Sequence, residues 1–125
     1  MKTKTIRLQP SVWKLDVIVT KSEKKAIKHQ VKKYGLKKPI LEEEKQHLNT
    51  VTTVYYKKKG KPTARVLMIL ESLEPGLVVH ELTHVLWQYS KRAGVEVNFE
   101  SQEWQALMME SLFNQVIDEK GYKKV

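Results

Sequence analysis

The chain has 125 residues, 41% of them apolar and 30% charged, with 23 Lys+Arg against 14 Asp+Glu and a formal net charge of +9. That length supports one domain, residues 1–125, with a modest core, and no apolar run is long enough to cross a bilayer. Zero cysteines exclude disulfides and thiolate metal sites, so any metal must be held by histidine and carboxylate.

The charge is unevenly spread. Residues 1–62 hold 17 Lys+Arg against 5 Asp+Glu, and residues 63–125 hold 6 against 9. A basic half beside an acidic half points to an anionic partner, nucleic acid or an acidic protein surface, for the N-terminal elements. The plainer reading is a lysine-rich surface that aids solubility. The first residues are basic but are followed by no apolar stretch, so a cleaved secretion signal is not expected and the chain reads as cytoplasmic.

In chain order, Trp13, Leu15, Val17 and Val19 alternate with Lys14, Asp16, Ile18 and Thr20, the pattern of a strand with Ile18 as the one apolar exception. Pro10 should separate it from a short first strand. Thr20-Lys21-Ser22-Glu23 has the spacing of a capping box and predicts a helix with Ile27, Val31 and Tyr34 on one face and Gly35 as its stop. The opposite face is almost entirely lysine. Pro39 and Glu42-Glu43-Glu44 suggest a loop. Residues 50–57 and 64–71 read as a hairpin with a basic tip, its second strand apolar from Val66 to Leu70. Pro75 opens a helix expected over 75–92, with Lys91 and Arg92 in its last turn and Gly94 beyond. Asn98 or Ser101 caps a final helix expected to reach Lys120, with Leu107, Met108, Leu112 and Val116 as its apolar stripe. The fold class is α+β: a small antiparallel sheet packed by helices.

The most informative segment is His80-Glu81-Leu82-Thr83-His84 within the 75–92 helix. Histidines four residues apart share a helical face, so both can reach one metal ion, and the glutamate between them sits about 100° round, close enough to serve a water at that metal. A catalytic zinc normally takes three protein ligands. His29 and His47 lie in segments with no ligand pattern, and no histidine follows His84. The remaining donors on or near the last helix are Glu100, Glu103 and Glu110. Glu103 is favoured, because the final helix can fold back against the motif helix and bring its first turn close. Glu110, one heptad further on, is a candidate partner for a histidine N–H, with a plain surface carboxylate as its other reading. Glu100 suits the helix dipole instead.

The order H-E-x-x-H, 18 intervening residues, then Glu resembles the glutamate-type zincins (gluzincins). Val78-Val79-His80-Glu81 through Val85, followed by Glu103-Trp104-Gln105-Ala106, also resembles small HExxH proteins encoded by phages and prophages, whose usual tyrosine after the alanine is Leu107 here. The likeness covers roughly residues 77–116. It implies a minimal zincin-like domain, Zn2+ held by His80, His84 and Glu103, and a metalloendopeptidase with Glu81 as general base. The strand before the motif helix would hold an extended substrate; Tyr55, Tyr56 and Tyr122 are the candidates to stabilise the oxyanion, none standing out, with an ordinary packing or surface tyrosine as the stronger reading of each. Two other readings use the same residues: a zinc-containing binding module without catalysis, and a nucleic-acid-associated protein whose patch includes Lys24, Lys25, Lys28 and Lys32 with Lys57, Lys58 and Lys59.

Overall fold

The computed structural model describes residues 1–8, 13–36 and 48–125. The expected break at Pro10, the loop around Pro39 and Glu42-Glu43-Glu44, and His47 lie outside the described residues.

Strands β1 (Lys2–Arg7) and β2 (Lys14–Val19) pair antiparallel, from Lys2 opposite Val19 to Arg7 opposite Lys14. Helix α1 (Glu23–Tyr34) follows. Its cap is Ser22 rather than Thr20: Ser22 Oγ accepts from the Lys25 amide, while Thr20 Oγ1 accepts from the Ser22 amide and shapes the approach. Gly35 ends the helix in the left-handed conformation at φ 63°, as its position suggested. The buried stripe is Ala26, Gln30 and Tyr34, with Ile27 and Val31 half-buried beside it.

Strands β3 (Thr50–Lys58) and β4 (Lys61–Leu70) form a hairpin closed by Lys59 and Gly60, both at positive φ, the geometry of a tight two-residue turn. The strands therefore run to the tip, beyond the expected loop. A two-residue strand β5 (Lys123–Lys124) pairs with β1, giving the order β3-β4-β2-β1-β5. The α+β class holds, but the sheet is mixed rather than wholly antiparallel: β2 runs parallel to β4, from Leu15 beside Val66 to Val19 beside Leu70. A crossover through α1 makes this possible, since parallel neighbours need a long connection.

The sheet is covered on both faces. Leu15, Val17, Val66, Met68 and Leu70 meet helices α2 (Pro75–Ala93) and α3 (Gln102–Ile117) on one side. Ile18, Leu67 and Ile69 meet α1 on the other, with Ala26 and Tyr34. That second cover explains the apolar exception at Ile18 and leaves Asp16 buried among Tyr34, Thr5, Lys33 and Arg65.

Asn98 and Ser101 form a reciprocal capping box around a short 3-10 turn before α3. The helix stops at Ile117, short of Lys120, where the Lys4 ammonium donates to the carbonyls of Gln115 and Asp118 and the Tyr122 hydroxyl to that of Val116. Met108, Leu112 and Val116 are buried as expected, but Leu107 is exposed, one position off the stripe. Among the described residues no helix is long and apolar enough to cross a membrane.

Candidate metal centre

The buried arc of α2 is Val78, Leu82, Val85, Leu86 and Tyr89, spaced three or four apart and packed on the sheet. His80 and His84 fall on the opposite side of the helix by that same periodicity, and both are exposed. Their rings stand edge to face, centroids 5.3 Å apart. The histidines are thus neighbours on one open helix face, not side chains satisfied inside a core.

Glu81 is different. It is only 5% exposed, turned a quarter of the way round toward the packed side, and its Oε1 lies 3.7 Å from His80 Nε2. Burial raises its carboxyl above the ordinary value, against the opposing pull of His80 and His84. Leu82 is buried, while Thr83 is exposed and donates its hydroxyl to the carbonyl of Val79.

Helix α3 docks on α2 through Trp104, whose ring stacks on Tyr89 at 6.2 Å between centroids and 22° between planes. With Trp104 and Met108 turned inward, Glu103 and Glu110 lie on the exposed side of α3, sharing a face as their seven-residue spacing requires. Among the described residues no three His, Cys, Asp or Glu side chains form a group able to hold a metal. Two nitrogen donors are therefore brought together and the carboxylate is not placed with them. As a donor set the exposed imidazole pair suits zinc, which accepts histidine nitrogen readily.

The other expected participants separate by face. Tyr56 packs on Tyr34, across the sheet from α2, and the Tyr122 hydroxyl is committed to the Val116 carbonyl. Tyr55 lies on the α2 side under the Arg92 guanidinium, 5.0 Å from its ring centre. Arg92 is eight residues beyond His84, about 12 Å along a helix. None of the three stands at the histidines. Strand β4 is paired on both sides, by β3 and β2, so it has no edge to offer a substrate along Val66–Leu70; β3 is the edge strand. It is tied to α2 by the hydrogen bond from Thr53 Oγ1 to Gln88 Oε1, at 2.9 Å.

A feature the motif reading missed is Trp87, 57% exposed, three residues past His84 and on the same side of α2. With Gln88, Ser90, Lys91 and Val95 it lines a groove of ≈ 340 Å³. The available signal was its spacing, which puts Trp87 on the histidine face of the helix rather than on the buried arc. Lys24, Lys25, Lys28 and Lys32 are exposed on α1, which packs on the other side of the sheet, and Lys57, Lys58 and Lys59 are exposed at the hairpin tip.

No family model, curated protein or solved structure matches the chain.

Proposed function

We propose that the chain is a zinc-dependent metalloendopeptidase of the small phage or prophage kind, acting in the cytoplasm, with its site on the open face of α2. The observation that carries this is the pair of adjacent, exposed imidazoles of His80 and His84 with the buried carboxylate of Glu81 between them on one helix. His80 and His84 would hold the metal, and Glu103 is the proposed third donor on its spacing from His84. Bound zinc would supply Lewis-acid activation of water and of a peptide carbonyl. Glu81 receives the proton of the attacking water at its carboxylate and returns it to the leaving amine, a role helped by burial, which makes its oxygens more basic than those of an exposed carboxylate. The groove beside Trp87 offers an apolar wall for a substrate side chain, and the outer edge of β3 offers backbone partners for an extended peptide.

Elemental analysis and a peptide-library cleavage assay test the proposal together. Wild type should carry about one zinc, His80→Ala and His84→Ala should lose it, and Glu81→Gln should keep it while losing cleavage by roughly two to four orders of magnitude. Loss of zinc in Glu103→Ala but not in Glu110→Ala would fix the third donor. Unchanged zinc in His84→Ala would overturn the site, and zinc without cleavage in wild type would leave a silent binding module.

A further inference from the structure

Two grooves that share a lining residue lie against α1, and a third, where β2 and β4 end, shares two residues with the second. The first, ≈ 380 Å³, lies between the end of α1 and the hairpin tip, where Lys32, Lys57, Lys58, Lys59 and Arg65 surround Tyr56. The second, ≈ 280 Å³, follows α1 past Lys25, Lys28 and His29 and shares Lys32 with the first. The third, ≈ 530 Å³, shares Met1 and Val125 with the second and adds Lys2, Lys21 and Lys124.

Among the described residues, Glu71 is the only carboxylate side chain lining any of the three. Arg65 and Lys33 are held by Asp16, and Lys2 by Glu119. The other eight lysines have no carboxylate partner among the described residues. The resulting field reaches His29, whose imidazole is held below its ordinary value by burial first and then by Lys33 and Lys32, against Asp16. Lysines crowded along connected concavities repel one another unless an anion lies between them.

The shape of that charge selects the occupant. A small phosphorylated ligand needs one groove, whereas three joined by shared residues suit a chain of regularly spaced negative charges. Among the described residues Arg65 is the one arginine lining them, and it is committed to Asp16 rather than free to read a base edge, so the lysines are suited to backbone phosphates. Tyr56, half-buried in the first groove against Tyr34, presents a ring on which a base can stack.

We infer that these grooves bind single-stranded nucleic acid along its phosphodiester backbone, without regard to sequence. The track is independent of the zinc site: α1 lies across the sheet from α2, none of the three grooves is lined by a residue of α2 or α3, and failure of either leaves the other standing. The test is fluorescence anisotropy with a 20-nucleotide mixed-sequence DNA strand between 50 and 200 mM salt, about the range over which counterion release is resolved. Log K should fall linearly with log salt, by about 0.7 per phosphate neutralised. Lys28→Gln in the second groove and Lys58→Gln in the first should each lower the slope by about 0.7 and the affinity at 0.1 M salt about fivefold, if electrostatics vanish near 1 M. Lys91→Gln, on α2, should change neither. Circular dichroism of each variant confirms that it is folded. Affinity insensitive to Lys28→Gln and Lys58→Gln, no salt-dependent binding, or equal affinity for a duplex or for polyglutamate would overturn the inference.

Discussion

The Tyr34 hydroxyl donates to Asp16 Oδ2 at 2.6 Å, fastening the last turn of α1 to the centre of the sheet. Thr5 donates to the other oxygen at 2.7 Å, and Arg65 and Lys33 approach it at 3.0 and 3.1 Å. Tyr34→Phe removes one hydrogen bond to a buried charge and should cost about 2 kcal/mol. Asp16→Ala strands two cations beneath α1 and should cost more, about 3–5 kcal/mol. Urea midpoints of the two variants measure the order, and equal midpoints would refute it.

Acid should act through the same carboxylate. Burial pushes Asp16 up, but the hydrogen bonds from Tyr34 and Thr5 and the charges of Lys33 and Arg65 outweigh it, leaving its pKa below the ordinary 3.8. The folded state thus binds this proton less readily than the unfolded chain. The stability gained is fully present above 3.8 and drains away as pH falls through the lower, folded value. Chemical denaturation at a series of acidic pH values should show a steeper loss in wild type than in Asp16→Asn. Parallel curves would mean Asp16 is not the group responsible.

Within the motif, stability and surface divide between adjacent residues. Leu82 is fully buried against the sheet, so Leu82→Ala should cost about 2–5 kcal/mol. Thr83→Ala, on the exposed side, should stay within about 0.5 kcal/mol of wild type. Thermal melts distinguish the two, and both variants should retain the histidine pair.

The hairpin tip makes the opposite trade. Lys59 sits at φ 52°, a conformation that disfavours a lysine and suits asparagine, while Gly60 at φ 78° has open space around it. Lys59→Asn should stabilise the fold by about 0.5 kcal/mol, and Gly60→Ala should destabilise it by about 1 kcal/mol through the backbone alone. Lys59→Asn should also weaken strand binding, since it removes a cation from the first groove. A variant that is both less stable and tighter in binding would contradict both expectations.

What was legible in the sequence was what short-range chemistry decides. Pro75, Gly35, Gly94 and the Asn98–Ser101 pair set helix ends by local geometry, and the alternation around Leu15 and Val17 set a strand. What was not legible depended on chain brought from afar. The burial of Asp16 and Ile18 needs α1 laid over the sheet, and the loss of β4 as an edge needs β2 beside it. Spacing gave Glu103 its order along the chain, but the roll of α3 about its axis, set by Trp104 on Tyr89, decides which way that carboxylate turns.

Strand β4 carries a consequence of its own. Arg65, Leu67 and Ile69 face α1, while Val66, Met68 and Leu70 face the motif helix. Moving the strand by one residue would exchange those sets, driving a guanidinium into the apolar layer under Leu82 and an aliphatic side chain against Asp16. A single-residue deletion there would disable both faces at once, though it touches neither surface directly. The two proposed activities, chemically unrelated and on opposite sides, are hereditary companions.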